Sequence, residues 1–178
     1  MVFDFENTLI GGFGNEEEVA SLSSFILKSR RPKVRLNEMY VEKLAHVLQE
    51  KGSSTSVLVT GWEQTKETPT GAAVLYAIDE GGEFYAMDYF ASFGEASEDI
   101  LTYFAQEWGL ELTEEDAVKL IDACLLNLTK SYPQMRNFYM VMKIVDKQGV
   151  RVLRFLIFSL CSRLASNIIV LSMLGRPS

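Results

Sequence analysis

The feature that most constrains this chain is a repeated change of hydrophobic period along its length. Val19, Leu22 and Ile26, supported by Phe25, recur at i, i+3 and i+7, as on one face of an amphipathic helix. Asn15 supplies an N-cap, Glu16 to Glu18 favour the positive end of the helix dipole, and Pro32 ends the pattern. A second helix is predicted from a cap at Asn37 to Lys51, with Tyr40, Leu44, Val47 and Leu48 inward and Gly52 as its stop. The period then becomes two. Ser56–Trp62 and Val74–Ile78 read as strands, Asp79–Gly82 as a turn, and Glu83–Ser92 as one returning strand with large apolar groups on both faces. A sheet built this way needs cover on both sides.

Helical spacing returns after Gly94. Ile100, Leu101, Phe104 and Trp108 share one face. Thr113 with Asp116 resembles a capping box, leading into the broad stripe Ala117, Leu120, Ile121, Cys124, Leu125 and Leu128. Beyond Pro133, Phe138–Val145 and the run from Val150 form a second hairpin through Asp146–Gly149. Ahead of all this, Thr8–Ile10 reads as a strand end running into a turn at Gly11–Gly14. Strand, two helices, strand group, two helices and strand pair is an α+β order with antiparallel sheets.

Composition narrows the function. The chain has 178 residues, 48% of them hydrophobic, which suits one core or two small ones. A net charge of −7 argues against a nucleic-acid partner. Cys124 and Cys161 cannot build a disulfide framework, and the N-terminus lacks the pattern of a secretory signal. His46 is the single histidine and reads as an ordinary helix residue with no nucleophile at diagnostic spacing. The glycine run lacks a Gly-Lys-Ser/Thr ending and meets three glutamates, which repel phosphate. Asp79, Glu80, Glu83 and Asp88 match no metal loop and read as solvated turn and edge acids. Glu114, Glu115 and Asp116 suit the helix dipole. No metal and no cofactor is expected.

Several phrases, in order, resemble a proteasome-type β subunit of the N-terminal nucleophile hydrolase superfamily. They are Thr8–Gly14 running into the acidic first helix, Val57–Glu63, Val74–Gly82, Phe90–Gly94, Leu112–Ala117 and Lys143–Arg151. The resemblance implies an α+β, four-layer αββα sandwich over residues 1–153, followed by an atypical apolar tail over 154–178. It implies partners too: other proteasome α and β subunits in stacked rings of a 20S core. That assembly degrades unfolded polypeptides in the ubiquitin-dependent pathway, in cytoplasm and nucleus.

Active members carry a threonine at the processed N-terminus, whose own amino group serves as base. By the resemblance, this sequence is incomplete at its N-terminus: the opening strand pair that bears the threonine, an aspartate and a lysine is missing. Thr8 is internal and carries no free amine. The expectation is therefore a structural subunit with no catalytic residue. Gly11, Gly12, Phe13 and Gly14 correspond to the backbone that borders extended substrate in active members. The alternatives are a fragment of an active threonine-type endopeptidase and a membrane-associated α+β adaptor. Phe155–Leu174 is long enough to span a bilayer, but Arg163 and Asn167 disfavour insertion, and a buried or interface segment fits better.

Overall fold

The computed structural model describes residues 2–5, 8–15, 17–22, 38–63, 71–94, 96–109, 112–132, 139–146, 148–157 and 167–171. The chain opens with β1 (Val2–Phe5) and β2 (Thr8–Phe13), which pair antiparallel. The segment ahead of the first helix thus holds two strands where the sequence pattern predicts one strand end. Helix α1 covers 17–22, and α2 spans Glu38–Lys51. The predicted continuation of α1 to Ile26, the stop at Pro32 and the cap at Asn37 lie outside the described residues. Strands β3 (Ser56–Glu63), β4 (Ala72–Ile78) and β5 (Phe84–Met87) follow. They complete a five-stranded antiparallel sheet in sequence order, β1-β2-β3-β4-β5.

Strand alternation sorts this sheet's side chains onto two faces. On one face Ile10, Val57, Val59, Tyr76 and Ile78 pack against Leu22 of α1 and Val41, Leu44, Ala45 and Leu48 of α2. The register makes this possible, because Ile10 opposes Val59, Val59 opposes Tyr76 and Val57 opposes Ile78. On the other face Leu58, Leu75 and Ala77 form a separate cluster. Fully burying a side chain such as Leu58 stabilises the fold by about 1.5–3 kcal/mol.

The predicted single strand over Glu83–Ser92 is broken. After β5 the chain bends at Asp88–Tyr89, and Phe90–Gly94 leaves the first sheet as β6. Ala91 of β6 joins the Leu58 cluster, while Phe90 turns away toward the next helices. One short strand therefore serves two cores.

Helix α3 (Ser97–Glu107) and helix α4 (Glu114–Ser131) bury Ala96, Ile100, Phe104, Cys124 and Leu128 together. Phe90 packs obliquely on Phe104 and Trp108, at 5.5 and 5.4 Å between ring centroids. The box at Thr113 forms as predicted. Its hydroxyl accepts the Asp116 amide at 3.2 Å and donates to the Asp116 carboxylate at 2.6 Å. Two further ties hold the pair in place. The Tyr132 hydroxyl at the end of α4 donates to Asp99 near the start of α3, and Arg151 donates to both carboxylate oxygens of Glu114.

Strands β7 (Tyr139–Asp146) and β8 (Gly149–Ile157) form the second hairpin, with a register shift between Met142 and Lys143. The last strand, β9 (Asn167–Leu171), pairs antiparallel with β6, from Phe90 opposite Leu171 to Gly94 opposite Asn167. Both described parts of the apolar tail are thus strand, and residue 153 lies inside β8. Among the described residues no helix is long and apolar enough to cross a membrane.

Candidate functional site at the glycine run

Gly11, Gly12 and Phe13 belong to β2 and not to a turn. They oppose Leu58, Val57 and Ser56 of β3, and Gly11 also opposes Val2 of β1. The turn begins at Gly14, whose φ of +132° is a region that favours glycine. Gly12 meets a different demand. A Cβ there would lie 2.6 Å from a Val19 methyl, so a bare backbone is what lets α1 settle onto the sheet. At Gly14 a Cβ would fall 2.8 Å from the Ser54 carbonyl oxygen and 2.9 Å from the Thr55 Cα. The run is therefore wedged between α1 on one side and the α2–β3 connection on the other.

Asn15 caps α1, its side-chain oxygen accepting the Glu17 amide at 2.9 Å and the Glu18 amide at 3.4 Å. Glu17 is exposed at the helix start, as the dipole reading expects. Glu18 behaves differently. One of its carboxylate oxygens accepts the Ser53 hydroxyl at 2.6 Å, the Thr55 hydroxyl at 2.8 Å and the Ser54 amide at 3.2 Å. The Ser53 oxygen in turn accepts the Thr55 amide at 3.2 Å. The Ser53 and Thr55 hydroxyls, with smaller help from Lys51, hold the Glu18 carboxyl below the usual carboxylate range. A second strap runs alongside, from the Lys51 ammonium to the Ser21 hydroxyl at 3.0 Å. By sequence alone, Glu18 reads as a dipole partner and Ser53–Thr55 as a helix stop. A run of short hydroxyl residues directly after a Gly-terminated helix is the signal that could have flagged an acceptor elsewhere.

The other candidates stay apart from this cluster. His46 is exposed on α2, with Glu50 one turn on at 3.4 Å. Asp79 organises the β4–β5 turn, accepting the Gly81 and Glu83 amides at 2.9 Å each. Glu83 accepts the Tyr85 hydroxyl at 2.7 Å, which, aided by the neighbouring carboxylates, pushes that phenol up to about 12. Glu80 and Asp88 are exposed. Among the described residues no group of acids, histidines and cysteines could hold a metal ion. Cys124 is buried, and the loss of solvent pushes its thiol up to about 11, so it is a core residue and not a nucleophile. Cys161 lies outside the described residues.

Chemically, the cluster at the glycine run ties α1 to the α2–β3 connection. A carboxylate shared by three donors is a weak base, so Glu18 is poorly suited to activate Ser53 or Thr55. Thr60 is likewise occupied, donating to the Val74 carbonyl at 2.9 Å.

Comparison with individual curated proteins returns no match. The model of the family described as "Proteasome subunit" matches residues 20–142, from within α1 through both helix pairs into β7. That span takes in most of the α+β framework described above, and the chain belongs to the proteasome subunit family.

Proposed function

We propose that the chain is a non-catalytic, structural β-type subunit of a 20S proteasome core, serving ubiquitin-dependent protein degradation in cytoplasm and nucleus. In this reading the pairs β6–β9 and β7–β8 are halves of a second sheet facing β1–β5, and the domain is a four-layer αββα sandwich. The observation that carries the proposal is the two-sided cover of the first sheet in a chain of this family. Helices α1 and α2 cover one face, and β6, backed by α3 and α4, covers the other. The non-catalytic part is supported by the hydroxyls beside the glycine run, which are committed to a weakly basic Glu18. Gly11, Gly12, Phe13 and Gly14 would be the strip of backbone that borders the chamber through which unfolded polypeptides pass.

Co-expression of the tagged chain with proteasome α and β subunits, followed by native mass spectrometry, tests the structural role. The expected result is a core-sized particle containing the chain. A chain found only as a free monomer, outside every particle, contradicts that role. Peptide hydrolysis by the purified chain alone would contradict the non-catalytic assignment.

A further inference from the structure

We propose that Glu18 is a carboxylate latch that sets how deeply α1 sits over the glycine run. Glu18 and Val19 are consecutive and contact different neighbours. Val19 presses on the bare backbone of Gly12, where even one added carbon would collide. Glu18 holds the far side by gripping Ser53, Ser54 and Thr55, the same connection against which Gly14 rests. Beyond the β2–β3 ladder, the seating of α1 over residues 12–14 thus depends on one carboxylate and one methyl pair.

The latch is built from charge at one end and neutral donors at the other. Among the described residues at the Glu18 carboxylate, the α2–β3 connection contributes Ser53, Ser54 and Thr55, none of them charged. Helix α2 contributes the Lys51 ammonium, which is itself tied to Ser21 of α1. Within α1, Glu17 is exposed. Hydrogen bonds to an ionised acceptor are roughly twice as strong as neutral ones, so removing the charge weakens every strand of the grip together. The native carboxyl titrates below its ordinary value, so the latch is closed through neutral pH and opens as pH falls through that lowered value. Its consequence for a polypeptide passing the glycine strip rests on the function proposed above; the latch itself does not.

Hydrogen exchange of the full chain at neutral pH, read by mass spectrometry on Glu18→Ala and Glu18→Gln, tests the latch. Glu18→Ala should speed exchange of the Ser54 and Thr55 amides and of residues 17–22 by about tenfold or more, with residues 97–131 unchanged. Glu18→Gln keeps an acceptor oxygen without the charge and should fall between the two. Wild-type exchange in Glu18→Ala, wild-type exchange in Glu18→Gln, or loosening spread equally over 97–131 would each overturn the proposal. If Glu18→Ala does not fold, the wild-type chain is followed as pH falls below the carboxylate range, with exchange corrected for its intrinsic rate. Residues 17–22 and 54–55 should then open before 97–131, and simultaneous opening would overturn the latch. These readouts need no ring assembly, so failure of the latch and failure of incorporation into the core are separate results.

Discussion

The two helix pairs are attached to the strand layers by different physics. On the β1–β5 sheet, α1 and α2 share an apolar core, but α1 is also held by a polar grip of Glu18 on Ser53, Ser54 and Thr55 and by a glycine-to-valine contact. On the opposite side α3 and α4 are anchored by aromatic packing of Phe90, Phe104 and Trp108. The Thr113 box and the Arg151–Glu114 ion pair sit at the start of α4, and the Tyr132–Asp99 hydrogen bond joins the two helices. Apolar packing tolerates gradual adjustment of side chains, whereas a grip through one carboxylate is made or lost as a unit. Both apolar cores should therefore contribute to global stability, while the polar grip on α1 should control a local geometry.

Substitutions can break this contrast. Phe104→Ala should have the largest effect, about 3–5 kcal/mol lost in urea unfolding, because the ring is fully buried between β6 and both helices. A loss comparable to a surface substitution would mean that this core does not anchor the pair. Gly12→Ala should cost about 1–3 kcal/mol through overpacking against Val19. Adding Val19→Ala should recover part of that loss, and a purely additive double mutant would refute the contact.

The smallest change is predicted at the α4 cap, where Thr113→Ala should cost about 1 kcal/mol. The Thr113 hydroxyl chiefly holds the Asp116 carboxyl below its ordinary value. A depressed carboxylate contributes stability above its unfolded pKa and loses it as pH falls through the folded one. Thr113→Ala should accordingly flatten the acid limb of a stability–pH curve, and an unchanged limb would argue against the box.

Local signals explain what could be read from the sequence. The α4 stripe and its Thr113–Asp116 box depend on residues three or four apart, so they were legible, as was the hairpin through Asp146–Gly149. The break at Asp88–Tyr89 was not, because apolar alternation continues from β5 into β6 while the strand changes sheets. Phe84 packs toward α2, Ala91 toward the back of the first sheet and Phe90 toward α3, and no single period encodes three destinations. The β9–β6 pairing was hidden because the tail is apolar without a clear period and its partner lies some 77 residues away. The Glu18 grip joins residues 35 to 37 positions apart, beyond any cap or turn rule.

One sheet separates two cores, with β6 lying against its back. Methyl-resolved nuclear Overhauser contacts test it most directly. Cross-peaks are expected from the Ala91 methyl to the Leu58 and Ala77 methyls, and from Ile100 to the Phe104 ring, with none between Ala91 and Val41 or Leu44 of α2. Contacts between Ala91 and α2, or no contact between Ala91 and Leu58 in the folded chain, would contradict it.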